Sequence, residues 1–400
     1  MVKKMMMTVL SMVMFGLVMT SCDGEKPNNG REINPSDGIP TVIKENMTLK
    51  EGQTYTLSNK VEVKKGAALT IPAGVTIKVK KGFANYILVE QGGKIFINGT
   101  ADKPVKMTAD IAGANAGHWG GLIINGYAPI TNGGTNKTEI DPSKPYGGDN
   151  IADNSGKITY LILEYTGAQN NDNVEHNGLT LNAVGNGTTI ENVFVRYGAD
   201  DAIEFFGGSV NVTNFLAVNA DDDMFDFTEG YCGTLINAYG VWEDGQISTE
   251  KDPRGVEADG NHDGNSPDGK PQSIFKIKNM TIELKMSPSS QKGLYMDDVI
   301  KVRRGATATI ENALVKGQGQ AKDLIDMTDG SGFGTVASKI SITNNLSTPV
   351  SGKQIVNSYD HKDKDGKVVR TETYEYPNVK VVAGNTGSPT NIFSWTGYKF

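Results

Sequence analysis

The sequence predicts an all-β solenoid, and three observations lead to that prediction. Short alternations of apolar and polar residues, typical of strands with one buried face, are separated by turns rich in Gly, Asn and Asp. From residue 178 a unit of 22 to 23 residues recurs, with Asn192, Asn214 and Asn237 in the same position. Glycine accounts for 48 of the 400 residues, well above the usual share of about 7%. One such unit is too small to bury its own apolar face, so the units must stack as coils.

The residues of successive units predict which side chains stack. Leu179, Ile203 and Phe225 begin equivalent short strands, so they should form an apolar column inside the solenoid. The asparagines should stack at a turn, where an amide can hydrogen-bond backbone groups and tolerates left-handed geometry. Later and less regular copies place Asn312 and Asn344 in the same position.

The start of the chain has the layout of a secretory signal. Two lysines precede an apolar run over residues 5–20, which is shorter than the roughly 20 residues of a membrane span. Residues 19–22 resemble a bacterial lipobox, in which Cys22 becomes the lipidated first residue. Acidic residues follow at once in CDGEKP, as in lipoproteins exported to the cell surface. We therefore expect 1–21 to be a lipoprotein signal peptide and Cys22 to anchor the protein in the outer membrane, with its body exposed at the surface; a periplasmic orientation is the alternative.

The rest of the chain divides into a tether, a body and a cap. Residues 22–41 are polar and contain three prolines, which predicts a flexible tether. Residues 42–350 should form the solenoid. Two polar insertions, at 131–157 and 245–272, should project from one side of it. Residues 351–400 contain a predicted hairpin at an Asp-Gly turn and are assigned as a C-terminal β cap over the open strand edges.

Three segments resemble a known architecture. GHWGGLIINGYAPI, NGLTLNAVGNGTTIENVFVRYGADDAIEFFGG and DDDMFDF are similar to sequences of Bacteroidetes surface lipoproteins with the β-helix fold of pectate lyases and polygalacturonases. The resemblance covers about residues 60–350. It implies a single-stranded right-handed parallel β-helix with capped ends, but it implies no settled activity.

The strongest candidate site is a column of acidic residues. Glu204 and Asp226 are outward residues of equivalent strands, with Thr180 before them and Glu257 and Tyr295 continuing the column. Carboxylates on neighbouring coils repel unless a cation or a shared proton lies between them. The turns before these strands hold the candidate metal ligands Asp200, Asp201, Asp222 and Asp223.

The acidic column has three open interpretations. Hard oxygen ligands on successive coils suit Ca²⁺. Alternatively, Glu204 and Asp226 could act as the acid and base of glycoside chemistry, with Arg196 as the nearby cation for a lyase-type role. GADDAI resembles the Gly-Asp-Asp element of polygalacturonases, but the Gly-His-Gly and Arg-Ile-Lys elements of those enzymes are missing. The third interpretation is that these acids only cap turns and hydrate the surface.

A second candidate is the loop over residues 259–264. Asp259, Asn261 and Asp263 match the first oxygen positions of a calcium loop, but Lys270 stands where the bidentate Glu belongs. A loose Ca²⁺ site and a plain Asx-rich turn are both open here.

Aromatic residues beside polar loops form a third, weaker candidate set. They could stack on sugar rings, although packing in the core or in turns explains such residues equally well. The members are Trp119, Tyr127, Tyr146 and Trp242.

Composition and motifs narrow the function. The net charge of −7 makes nucleic-acid binding unfavourable, and no motif for an organic cofactor occurs. The favoured hypothesis is a non-enzymatic surface lipoprotein that binds a glycan or a host or neighbouring-cell ligand. A polysaccharide lyase or glycoside hydrolase acting through the acidic column, and a structural component of a surface complex, are the alternatives.

Overall fold

The computed structural model describes residues 30–171 and 174–400, and the predicted signal peptide and Cys22, the predicted lipid anchor, lie outside this range. The chain forms a single-stranded right-handed parallel β-helix with three faces. One face, here called the front sheet, has eleven parallel strands, one from each coil. Its strands are Val42–Ile43, Val61–Val63, Ile87–Val89, Leu122–Asn125, Leu179–Asn182, Ile203–Phe206, Phe225–Thr228, Arg254–Ala258, Met296–Lys301, Ala321–Asp326 and Ile355–Val356.

The other two faces start as separate strands and then fuse. The early strands of one face are Arg31–Ile33, Met47–Leu49, Ala68–Pro72 and Lys94–Asn98, and those of the other are Thr54–Leu57, Thr76–Val79 and Val105–Ala109. Both faces continue into Gly156–Glu164, whose first half pairs with one and whose second half pairs with the other. Each of the next six coils has one long bent strand, in the order Thr189–Arg196, Asn211–Val218, Thr234–Trp242, Ile274–Leu284, Thr307–Gly317 and Lys339–Leu346, and the three-residue strand Val379–Val381 ends this sheet.

Stacked asparagines make the bend in these long strands. Asn192, Asn214, Asn237, Asn279 and Asn312 all have a positive φ of 55° to 59°. Each amide nitrogen donates to the amide oxygen of the preceding asparagine over 2.8–2.9 Å. The predicted stack is therefore present, and it includes Asn279, which the long insertion before it hides in the sequence.

Asn344, predicted for the same position, does not join this asparagine ladder. The last long strand pairs Ile340 with Ile310 and Ile342 with Ala313, so it has one residue fewer at the bend. Without the extra left-handed residue, Asn344 falls opposite Val315 and its amide faces Gln354.

The interior is a continuous apolar core. Leu179, Ile203 and Phe225 are fully buried, as the repeat predicted. Two residues after Ile203 and Phe225, Phe205 and Phe227 stack on each other, and Phe227 also stacks on Phe275 of the strand Ile274–Leu284, with ring centroids 5.0 and 4.3 Å apart.

The ends of the solenoid differ from the predicted tether and cap. From residue 30 the expected tether is folded: Arg31–Ile33 pairs in parallel with Met47–Leu49, and Ile33 is buried under Tyr55. At the other end Ser358–Lys362 and Val368–Thr373 form the expected hairpin, and Val379–Val381 covers the last long strand.

Residues 383–400 depart from the predicted cap. They run back along the outside of the solenoid, where Thr386 donates to Asn312, and Phe393 packs on Phe194, Leu216 and Tyr239. This segment therefore covers apolar side chains on a lateral face and not the end of the solenoid.

The remaining elements are short. Asn136–Thr138 and Asp141–Tyr146 form an antiparallel hairpin, and the 3-10 turns are Pro35–Asp37, His262–Gly264 and Asn391–Thr396. Within the described residues no helix has the length and apolar character needed to cross a membrane.

Candidate functional site

The front sheet carries the acidic column on its outer surface. Thr180 lies in register with Glu204, Glu204 with Asp226, and Asp226 with Glu257. The next residue in the column is Lys301 and not Tyr295, since Val256 pairs with Ile300 and the strand starts only at residue 296. Tyr295 therefore lies outside the column.

The turns before the strands bring the predicted aspartates to the same place. Carboxylate oxygens of Asp200, Asp201 and Asp222 all lie within 4.8 Å of one another, and the same holds for Asp201, Glu204 and Asp226. Asp201 is 6% exposed and accepts a hydrogen bond from the backbone of Asp223 at 2.9 Å. Asp201 is thus common to two trios of carboxylates.

These residues belong to a larger concave surface, here called the acidic basin. Ten carboxylate residues and two arginines, Arg254 and Arg303, line it. The ten are Glu139, Glu175, Asp200, Asp201, Glu204, Asp222, Asp223, Asp226, Asp252 and Glu257. The basin therefore carries a large excess of potential negative charge.

Burial and mutual repulsion change the protonation of the basin. Burial, and then neighbouring charge, raises the pKa values of Asp222 and Asp226 to about 7. The same two causes raise the pKa values of Asp201, Glu204 and Asp223 well above the ordinary range. The carboxylates cannot all ionise in this space without a compensating positive charge.

The two arginines compensate only part of this charge. Arg254 bonds Glu257 and Asp252 and lies 3.4 Å from Asp298. Arg303 bonds Glu257 and lies 2.6 Å from Asp259. After these contacts, the buried Oδ1 atoms of three aspartates still have no hydrogen-bond partner among the described residues: Asp222, Asp223 and Asp226.

Arg196, the predicted lyase-type cation, lies elsewhere. It ends one of the long bent strands, where it bonds Glu164 at 2.7 Å and covers the rings of Phe194 and Tyr197. It does not line the acidic basin. Sequence proximity to the acids was misleading because the chain turns onto another face between Arg196 and Asp200.

The loop over residues 259–264 does not gather its oxygens. Asp259 lies 2.6 Å from both Arg303 and Arg304, so its charge is compensated by the next coil. The amide of Asn261 holds the loop together through Gln272 and Ser266. Asp263 points into solvent with 68% of its side chain exposed. The proposed Ca²⁺ loop is therefore a turn held by arginines and an amide.

The four predicted aromatic residues do not form a sugar-stacking platform. Trp119 and Trp242 are fully buried, and their indole nitrogens donate to the backbone of Glu164 and Ala220. Tyr127 is half-buried beside Lys65. Tyr146 lines a cavity, and its hydroxyl donates to Glu229 at 2.6 Å.

That cavity lies between the front sheet and the antiparallel hairpin and is here called the hairpin cavity. Its volume is about 350 Å³, and it shares Glu204 and Asp226 with the acidic basin. The two insertions do project from the same side, and they meet where Asn132 donates to Ser266 at 2.9 Å. The first insertion supplies the hairpin, and the second supplies His262 at the cavity wall.

Several cavity residues have atoms that the protein leaves unpaired. His176, Asn177 and Asn182 are at most 4% exposed and line the cavity. Nδ1 of His176 and the Oδ1 atoms of both asparagines have no hydrogen-bond partner within residues 30–171 and 174–400, and the same is true of Oδ1 of Asp226. Sequence reasoning missed all three, although GLIIN at 121–125 and GLTLN at 178–182 match closely enough to have shown that Asn125 and Asn182 stack.

The comparison with protein families agrees with this architecture. A family described as pectate-lyase-like β-helix domain matches residues 41–398. The chain therefore belongs to the pectate-lyase-like β-helix domain family. No curated protein and no solved structure matches it. Membership of this family is compatible with a binding role and with a lyase or hydrolase role.

Proposed function

We propose that the protein is a cell-surface lipoprotein that binds a glycan on its front sheet without catalysing a reaction on it. The observation that carries the proposal is the hairpin cavity, because residues of its wall carry buried polar atoms that have no partner among the described residues. Such atoms are costly unless a ligand or water pairs with them. A ligand rich in hydroxyl groups supplies the missing hydrogen bonds.

The arginines argue for binding over lyase chemistry. A lyase needs a base that is free to take a proton from the substrate. Arg254 and Arg303 both bond carboxylates, and Arg303, with a pKa lowered by burial to about 10, still carries its proton at neutral pH. Arg196 lies on another face.

We infer that Ca²⁺ supports the site at the trio Asp200, Asp201 and Asp222. These residues fit a hard cation because they offer only carboxylate oxygens, and buried Oδ1 atoms of Asp222 and Asp223 have no partner. The ion would neutralise part of the basin and offer a further contact to ligand oxygens. These three aspartates do not line the hairpin cavity, so ion and ligand have separate places.

Ligand binding is tested by screening the purified protein against a glycan panel while measuring turnover on the same panel. Asn182→Ala should weaken binding because it removes a cavity acceptor, whereas Asn186→Ala, on an exposed turn, is the matched control. Binding that is insensitive to Asn182→Ala, or cleavage of the bound glycan, would reject the non-enzymatic proposal.

The cation site is tested by calorimetric titration with Ca²⁺. The wild-type protein should bind the ion, and Asp201→Asn combined with Asp222→Asn should abolish that binding. Asp268→Asn, an exposed aspartate of the second insertion, is the control. An unchanged Ca²⁺ isotherm in the double variant would exclude this trio as the site.

The anchor is a separate part of the proposal. Cys22→Ala should move the protein from the membrane to the soluble fraction, since the apolar run at 5–20 is short for a membrane span. Protease added to intact cells should remove the body of the wild-type protein. Protection in intact cells together with cleavage in lysates would place the protein in the periplasm instead.

Glycoside hydrolysis is the second candidate, favoured by one observation. Oxygens of Glu204 and Asp226 lie within 4.8 Å, and retaining glycosidases hold their two carboxyl groups about 5–5.5 Å apart. If this function holds, a glycan from the panel is cleaved and Glu204→Gln abolishes the cleavage. Binding without new reducing ends excludes it.

A further inference from the structure

We propose that the hairpin cavity selects a small hydroxylated ligand that carries a protonated amine, of the amino-sugar type. The inference rests on the proposed function for the place of binding and adds the charge of the ligand. Hydrogen-bond direction, charge and size each point to this class.

The orientation of Asn182 is fixed by a chain of hydrogen bonds. The amide nitrogen of Asn125 donates to the carbonyl of Pro145 at 3.1 Å, so its oxygen must face Asn182. That oxygen accepts from the amide nitrogen of Asn182 at 2.9 Å. Asn182 lines the cavity and is 1% exposed, and its oxygen, a pure acceptor, has no partner among the described residues.

His176 presents an acceptor in the same way. Its Nε2 lies 3.0 Å from the carbonyl of Phe83, which can only accept, so Nε2 carries the hydrogen. Burial lowers the pKa of His176 to about 4, so the ring is neutral at pH 7 and Nδ1 is an acceptor. Nδ1 has no partner in the part of the chain that the structure describes.

Two further acceptors lie beside the acidic column. The amide nitrogen of Asn177 donates to Glu204 at 2.6 Å, which leaves its oxygen unpaired. Oδ1 of Asp226 is unpaired as well. Three of the four unpaired atoms, on His176, Asn177 and Asn182, can therefore only accept hydrogen bonds, and Oδ1 of Asp226 accepts whenever its carboxyl group is ionised, so a complementary ligand must be rich in donors.

The charge of the residues around the cavity indicates whether the hydrogen-bond donors of the ligand are neutral or positively charged. Seven carboxylate residues line it, among them Glu204, Asp226 and Glu257. The buried cation, Arg303, already bonds Glu257 and Asp259. Lys137 and His262, also on the wall, are exposed to solvent, as are two of the seven carboxylates, Glu139 and Asp263, which leaves five carboxylates that are at least partly buried. An anionic sugar would be repelled here, whereas an ammonium group can donate to Asp226 and compensate charge at once.

The cavity walls limit the size of the ligand. The volume of about 350 Å³ is at the lower end of the range of about 300–1,000 Å³ for small-molecule pockets. Tyr146 and Phe206 give it an aromatic side with ring centroids 6.3 Å apart. One sugar ring or a ligand of similar size fits this description.

The test compares four hexoses that differ in charge: glucosamine, glucose, N-acetylglucosamine and glucuronate. Each is titrated into the purified full-length protein by calorimetry, once with a chelator and once with Ca²⁺. Glucosamine should bind at least ten-fold more tightly than the two neutral sugars, glucuronate should not bind, and salt should weaken glucosamine binding. Equal or tighter binding of a neutral sugar or of glucuronate overturns this inference and leaves the proposed function standing. Failure of all four sugars in both buffers, with no other glycan bound, overturns both.

Two variants test whether Asp226 causes the preference for glucosamine. Asp226→Asn should reduce the preference for glucosamine over glucose to about one, because the amide no longer matches an ammonium group. Asp268→Asn should leave the preference unchanged. Asn182→Ala serves as a second cavity variant if Asp226→Asn does not fold, and it should weaken glucosamine and glucose alike. A preference for glucosamine that survives Asp226→Asn in a folded protein would overturn the inference.

Discussion

Two columns of stacked polar side chains run along the same coils. In only one of them do the side chains form hydrogen bonds with one another along the column. In the asparagine ladder, Asn214 accepts from Asn237 and donates to Asn192, each at 2.8–2.9 Å. In the acidic column, Glu204 and Asp226 are stacked in the same register-paired way, but Oδ1 of Asp226 has no partner. The spacing of the coils is common to both columns, so the chemistry of the side chain makes the difference.

An amide carries both donors and acceptors, whereas an ionised carboxylate only accepts. A column of amides can therefore extend over many coils and stabilise the fold. A column of carboxylates must obtain protons or positive charge from outside the column. The ladder is thus a structural element, and the acidic column is the place where the fold leaves interactions open for a ligand or an ion.

The largest expected effect is a fall in stability as the pH rises in the absence of Ca²⁺. The pKa values of Asp222 and Asp226 are raised to about 7 by burial, from about 3.9 in an unfolded chain. The folded state then holds these protons more tightly, so its advantage is complete below pH 4 and is lost as the pH rises to 7. One carboxylate with such a shift contributes of the order of 4 kcal/mol.

The measurement is the melting temperature of wild type and of Asp222→Asn/Asp226→Asn between pH 4 and 7 in chelator. As the pH rises, the melting temperature of the wild-type protein should fall relative to that of the double variant. Saturating Ca²⁺ should reduce the difference by compensating the ionised carboxylates. If the melting temperatures of the two proteins change in parallel with pH in chelator, these aspartates are solvated and their carboxylates do not repel one another.

Breaking the ladder should have the next largest effect. Asn214→Leu removes two amide contacts and places a side chain without polar groups at a φ of 59°. Both changes destabilise the fold, together by about 1–3 kcal/mol. Denaturant unfolding measures the difference in free energy.

Two controls separate the causes of that loss. Asn214→Gly keeps the left-handed backbone accessible and removes only the amide contacts, so it should cost less than Asn214→Leu. Asn344→Leu, outside the ladder, removes only a contact with Gln354 and the acceptor of the Leu346 backbone N–H, so it should cost about 1 kcal/mol at most and less than Asn214→Leu. If the substitutions at positions 214 and 344 lower the free energy of unfolding equally, the ladder does not stabilise the fold.

The same comparison shows what the sequence could predict. A regular repeat fixes which residues stack, so the positions of Asn192, Asn214 and Asn237, and of Glu204 above Asp226, followed from spacing alone. Asn279 was missed and Asn344 was misplaced, because an insertion and a shift of pairing interrupt the period near them.

The partners of the site residues could not be predicted in this way. Arg303 reaches Asp259 from the next coil, and Tyr146 reaches Glu229 from the hairpin, over 44 and 83 residues of sequence. The side chain of Arg196 is close to the acids in sequence but lies on another face. The period of the sequence repeat predicts the order of the coils, whereas the insertions and turns determine which side chains of different coils come into contact.

The smallest expected effect comes from a substitution that makes the acidic column resemble the asparagine ladder. Glu204→Gln keeps an oxygen that can accept from Asn177 and adds an amide nitrogen that can donate to the unpaired Oδ1 of Asp226. It also removes one of the carboxylates that repel each other. In chelator at neutral pH the variant should therefore be more stable than wild type by about 1 kcal/mol, the net value of one hydrogen bond. Glu191→Gln, an exposed residue on the strand Thr189–Arg196, should change stability by less than about 0.5 kcal/mol. If Glu204→Gln instead destabilises the fold in chelator, the repulsion is already compensated within the protein, and the acidic column needs no ion or ligand.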